Sequence, residues 1–221
     1  MSPRCNLFQN LPPTRARGSP VTAAGTARTG PGRPRDPQLD ALVLTATQEL
    51  LVRDGYQATT IAAVARRAGV VTTSIYRRWP GKRALVEDAI FALDTENHPV
   101  PSGDLRTDLL AWTRLFLHAA AHPAARSAIP GLLSEYHDDR ESYRRLLDGG
   151  ERPTIQALRE LLTVAAESGQ AAGDCDVEAI FEFLRGATLM RALTHGTEDA
   201  DHFSRRIADA LYAVAQTPTS D

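Results

Sequence analysis

Three consecutive hydroxyl side chains, Thr72, Thr73 and Ser74, stand directly before Ile75, Tyr76, Arg77 and Arg78, with Lys82 a few residues on. Short hydroxyls at the exposed start of a helix can hydrogen-bond base edges or meet a thymine methyl. Tyr76, Arg77, Arg78 and Lys82 can reach phosphate oxygens, contacts that set register and make affinity salt-dependent. The other chemistry-bearing groups are weaker candidates. His118 and His122 are four apart, a spacing that can hold a metal, and His137, Asp138 and Asp139 are further donors. Against a metal, His122 precedes Pro123 at a helix end and local spacing fixes no third ligand. Cys175 lies between Asp174 and Asp176, whose charges disfavour a thiolate and hence a redox role. The chain has no Gly-x-Ser-x-Gly elbow, no phosphate-binding Gly-x-x-x-x-Gly-Lys loop and no dinucleotide fingerprint. The expectation is therefore no metal, no cofactor and no enzymatic activity.

The hydroxyl-led segment needs a scaffold, and the surrounding pattern supplies one. Asp36 before Pro37 predicts a capped helix start. Leu39, Leu42, Val43, Ala46 and Leu50 then recur at three- and four-residue steps, and Gly55 ends the helix. Thr59 and Thr60 can cap a second helix with Ile61, Val64, Ala65 and Ala68 inward, stopped by Gly69. The third runs roughly from Thr72 to Arg78, and Pro80-Gly81 precedes a fourth beginning near Lys82. Two short helices about a glycine turn are the unit that can place its second helix in a DNA major groove. Ala65 is small enough for the helix axes to approach, and Ile61, Val64 and Ile75 can plug the wedge between them.

Helical periodicity continues to the end of the chain. A helix starts at Asp104 and ends at His122-Pro123. Residues 124–136 predict a short helix broken in register by Pro130-Gly131. A longer stretch from about Asp138 to Glu167 is expected to bend at Pro153. After a Gly-rich turn at Ser168–Asp176, two helices follow over Val177–Thr194 and Glu198–Ala215. No strand alternation is visible, so the fold is read as all-α.

Composition narrows the class further. The chain has 221 residues, 43% hydrophobic and 24% charged, within the range of globular proteins, and two cysteines, too few for a disulfide framework. No uninterrupted apolar run is long enough to span a bilayer, so no membrane is expected as a partner and the location is read as cytoplasmic. Residues 1–90 carry 13 Lys and Arg against 6 Asp and Glu, a balance of +7; residues 91–221 carry 12 against 21, a balance of −9. Only the first part is suited to a polyanion. An architectural DNA binder would be basic throughout, which this chain is not. Residues 1–35 hold six Pro, four Gly, six Arg and no acid, a composition that reads as a disordered basic arm. Gly30–Arg35 is the part suited to lie along a DNA groove. The segment is Arg-rich and acid-poor like a transit peptide, but the DNA-directed features downstream argue against import.

The strings GYQATTI, IAAVARRAGVV and SIYRRWPGKRAL, with VLTATQELL upstream, resemble the tetracycline-repressor (TetR) family of transcriptional regulators, Tyr76 followed six residues later by Lys82 being specific to it. The resemblance implies a three-helix helix-turn-helix domain over 36–95, the fourth helix linking it to an all-α ligand-binding and dimerisation domain over 96–221. It implies phosphate contacts from Thr60 and Lys82, recognition-helix contacts from Thr72, Thr73, Ser74 and Tyr76, and structural roles for Ile75 and Trp79. Arg77 and Arg78 depart from the family, which commonly has an aromatic after the tyrosine.

For the C-terminal part the resemblance implies a ligand pocket between helices, with Trp112, Phe116, Tyr136, Leu158, Leu162 and Phe181 as candidate lining residues. The expected partners are a double-stranded operator in the form of an inverted repeat, a second copy of the chain and a small-molecule inducer that releases the repressor. Two recognition helices must meet successive major grooves about 34–36 Å apart, which requires a dimer. The last two helices are the expected interface: Gly186 and Ala187 would allow close approach, and the 203/207/211/214 stripe would supply buried area.

Overall fold

The structure is a computed structural model that describes residues 37–91, 98–139, 141, 144 and 151–219. The chain divides into residues 1–35 and residues 36–221. The basic arm, Gly30–Arg35 and the expected cap Asp36 lie outside the described residues. Among the described residues there are nine helices and no strand. They are α1 (Pro37–Ala58), α2 (Ile61–Ala68), α3 (Thr72–Tyr76), α4 (Lys82–Phe91), α5 (Leu105–Ala121), α6 (Pro123–Asp138), α7 (Arg152–Glu167), α8 (Val177–Thr194) and α9 (Ala200–Ala215).

Helix boundaries follow local chemistry. Gly55 interrupts α1 with φ 81°, a conformation without steric cost only for glycine. Asp104 and Asp176 cap α5 and α8, their carboxylates accepting from the Thr107 and Ala179 amides at 2.9 Å each. His122 caps α6 through Nδ1, which accepts from the Ala124 amide at 3.2 Å. That nitrogen serves the helix end, so the His118/His122 pair is not two free imidazoles.

Two helical expectations change. The helix expected to break at Pro130-Gly131 is instead continuous as α6 from Pro123 to Asp138. Pro130 is exposed, and a proline at this position removes one N–H from the helix ladder without burying an unpaired donor. Gly131, half-buried beside it, lies against the ring of Tyr56 from α1. Pro153 does not bend a described helix; it sits in the first turn of α7, where its missing N–H is no loss.

Among the described residues, packing falls into three buried clusters. One joins α1–α4 through Val43, Leu50, Val64, Ile75, Trp79 and Leu85. A second joins α5, α7, α8 and α9 through Leu109, Trp112, Leu158, Leu162, Phe181 and Leu211. The third is a seam where Leu51, Tyr56 and Val86 meet Ala124, Ala128, Leu132 and Tyr136 of α6. Leu211 is buried in its own protomer, with Ile207 and Val214 packed beside it, so this part of the 203/207/211/214 stripe builds the monomer core, not an outward face. The exposed apolar positions lie on α8 instead, at Phe183 and Met190, one turn either side of Gly186.

Candidate nucleic-acid interface

The turn between α2 and α3 is built residue by residue. The Thr60 hydroxyl accepts from the Ala63 amide at 3.2 Å and caps α2, while the buried Thr59 donates its hydroxyl to the Gly55 carbonyl at 2.8 Å. Gly69 takes φ 69°, and the Val70 amide returns to the Ala65 carbonyl at 2.9 Å, reversing the chain. Ile75 is then fully buried against Ile61, Val64 and Ala65. That anchor fixes the rotation of α3. Thr72, Thr73, Tyr76 and Arg77 are exposed, and Ser74 is half-buried. Behind α3, the Trp79 indole donates to Asp88 Oδ2 at 2.7 Å, tying the turn to α4.

Two cations behave differently from the expectation of simple outward reach. Arg78 folds back to pair with Asp40 in the first turn of α1, leaving its side chain only 13% exposed. The carboxylate one helix away competes for a guanidinium that the sequence alone would leave to phosphate. Lys82, the first residue of α4, is half-buried: its Nζ lies 3.9 Å from the Tyr56 ring centroid and donates to the Gln57 carbonyl at 3.4 Å. Burial pulls the Lys82 ammonium below the usual lysine range, with the Glu135 carboxylate acting in the opposite sense. Sequence reading also missed Val71, 65% exposed at the start of α3. An exposed β-branched residue beside three hydroxyls is the signal that could have found it, since an apolar group there suits a thymine methyl.

Polar groups tie these helices to α6. Tyr56 donates its hydroxyl to Glu135 Oε1 at 2.6 Å, and Tyr136 donates to Glu87 Oε1 at 2.7 Å. Arg83 reaches Glu87 at 3.8 Å and Asp139 at 3.2 Å. Burial, followed by the carboxylate each one bonds, raises both tyrosines above the usual phenol range. Burial likewise raises Glu87, opposed by the Tyr136 hydrogen bond and Arg83.

A cavity of about 310 Å³ opens between α5, α6 and α8. Phe116, Tyr136 and Phe181 line it. Trp112 stands one layer behind, stacked on the lining residue His98 with centroids 5.2 Å apart. Leu158 and Leu162 face α5 and α8 in the packed core, outside the lining. Polar groups interrupt the apolar wall, among them His98, Thr154 and an ion pair in which Glu151, itself buried, accepts from Arg185 at 2.7 and 3.0 Å. Burial raises the Glu151 pKa, and the Arg185 charge opposes the rise. Cys175 stands apart, its thiol pushed up first by burial and further by Asp174 and Asp176.

Residues 43–89 match the family described as bacterial regulatory proteins, tetR family, and residues 99–211 match the tetracyclin repressor-like C-terminal domain. This chain belongs to the TetR family of transcriptional regulators. Members of the family bind DNA operators and act as dimers. The chain is 30% identical over 196 residues to the HTH-type transcriptional regulator YdeS of Bacillus subtilis, spanning 86% of this chain and 96% of the relative. It is 32% identical over 184 residues to the DNA-binding transcriptional repressor TetR of Mycobacteroides abscessus, spanning 80% and 94%. The solved TetR family transcription regulator SCO0332 superposes with a TM-score of 0.64 at 31% identity, over 80% of this chain and 98% of that one. Among the described residues no helix is long and apolar enough to cross a membrane.

Proposed function

We propose that this TetR-family regulator is a cytoplasmic repressor that holds an inverted-repeat operator as a dimer and releases it when a small molecule enters the α5–α6–α8 cavity. It does so without catalysis and without a cofactor. The observation that carries the DNA reading is the short α3, pinned from behind by the fully buried Ile75 and presenting Thr72, Thr73, Tyr76 and Arg77 outward. Thr72, Thr73 and Ser74 read base edges, with Val71 beside them. Tyr76, Arg77, Lys82 and the exposed Thr60 contact phosphates. Arg78 joins them only by leaving Asp40, and so contributes less than its neighbour Arg77.

The dimer face is α8, where Phe183 is 56% and Met190 62% exposed and, among the described residues, nothing lies within 4 Å of where a side chain at Gly186 would begin. Such apolar exposure on one helix stripe suits a second copy of the same stripe. The cavity supports the inducer reading by position: Tyr136 lines it and is bonded to Glu87 of α4, the helix that follows the DNA-facing segment. A ligand that fits one placement of α6 better than another shifts the population of dimers able to span successive grooves.

Footprinting of the purified protein on DNA upstream of its own gene tests the reading. Protection of an inverted repeat is the expected result. Lys82→Ala should weaken binding to all duplexes and reduce the salt slope by about one ion, whereas Thr72→Ala or Ser74→Ala should change sequence preference. Equal effects of both classes on specific and random DNA would refute the assignment.

A further inference from the structure

Lys82 Nζ sits over the face of Tyr56, and that ring is held from α6 at two points. Its hydroxyl donates to Glu135 Oε1, and its ring lies so near Gly131 that a Cβ there would come to 2.7 Å from Cγ and 2.8 Å from Cε1. Tyr56 is only 4% exposed and packs with Leu51 of its own helix and Val86 of α4. The ring is therefore held in place by α6, and the ammonium lies over it. A lysine stem has four rotatable bonds, and a phosphate contact from a freely rotating stem loses that freedom on binding. A quadrupole 3.9 Å from the charge confines the ammonium in advance.

We infer that Tyr56 is a positioning residue for DNA binding, setting the Lys82 ammonium for its phosphate, and that Gly131 and Glu135 set Tyr56. The inference rests on the reading of Lys82 as a phosphate contact. It adds that the contact is placed by a side chain of α1 and, through it, by the same helix whose Tyr136 lines the cavity. Tyr56 itself does not touch DNA.

The test uses the full chain and a fluorescein-labelled mixed-sequence duplex of about 30 base pairs, long enough for two half-sites one helical turn apart. Affinity is read by anisotropy between about 50 and 200 mM salt. Phosphate contacts are independent of sequence, so no operator is needed. Tyr56→Leu should weaken binding about two- to five-fold and flatten the salt slope. In a Lys82→Ala background the same change should have no further effect. Tyr56→Phe, which keeps the ring under the ammonium but loses the Glu135 bond, should fall between the parent and Tyr56→Leu in affinity and slope. If Tyr56→Leu weakens binding equally with and without Lys82, or leaves the slope unchanged, Tyr56 has no positioning role. If Lys82→Ala alone leaves the slope unchanged, the phosphate reading fails first, and that result is seen before any substitution at Tyr56. Should Tyr56→Leu not fold by circular dichroism, Gly131→Ala displaces the ring instead, and the same dependence on Lys82 decides the question.

Discussion

Gly131→Ala tests the seam between α1 and α6 directly. Within a helix the change alone favours folding by up to about 1 kcal/mol, because alanine is the better helix former. Here the new Cβ would stand 2.7 and 2.8 Å from two Tyr56 ring atoms, well inside ordinary carbon contact. The ring has little room to yield, being buried among Leu51, Val86 and Leu132 and bonded at its hydroxyl to Glu135 of the same helix that gains the methyl. Overpacking of this kind costs about 1–3 kcal/mol, and contacts under 3 Å with a ring that cannot yield put it toward the upper end. With the full propensity gain subtracted, the net loss is up to about 2 kcal/mol. For a chain of this size that lowers Tm by up to roughly 8 °C. Thermal unfolding of both proteins at equal protomer concentration measures it, since dimer melting depends on concentration. In a Tyr56→Leu background, where the ring is gone, the same change should be neutral or stabilising. A Tm that is unchanged or raised in the parent protein would refute the close approach of α1 and α6.

Thr60→Ala should cost about 1 kcal/mol through loss of the α2 cap, and Thr60→Ser should retain the stability; equal melting of all three proteins would show that the cap is absent. Burial, and then the neighbouring His118, hold the His122 ring below its usual range, and its Nδ1 must be unprotonated to accept from Ala124. A depressed folded pKa means that this stability is present above the unfolded value of about 6.5 and is lost as pH falls through the folded one. His122→Asn, a cap that does not titrate, should therefore flatten the fall in Tm between about pH 7 and pH 5, and an unchanged pH profile would exclude the contribution.

Periodicity and capping chemistry made most helices legible. The stretch Val177–Thr194 reads identically from sequence and structure, because Asp176 marks its start and the apolar repeat its length. The role of Ile75 was legible for the same reason: it is the one aliphatic residue between the hydroxyls and the arginines, and it is fully buried against Ile61 and Val64. Contacts across the fold were not. Nothing local connects Tyr56 to Glu135, 79 residues away, or Arg78 to Asp40, which a sequence shows only as one charge among many. Pro130 was read as a break because propensity weighs the missing N–H but not its exposure. Of the six candidate lining residues, Phe116, Tyr136 and Phe181 reach the cavity. Trp112, Leu158 and Leu162 share their periodicity but belong to inner faces that tertiary packing fills.

The two tryptophans occupy separate stations. Trp79 lies behind α3 with its indole bonded to Asp88, and Trp112 is stacked on the cavity-lining His98, one layer behind the wall. The molecule thus carries its own pair of optical reporters. Emission from a Trp79→Phe protein follows events at the cavity, and emission from a Trp112→Phe protein follows the DNA-facing end, so signal passing between them can be timed without an attached dye.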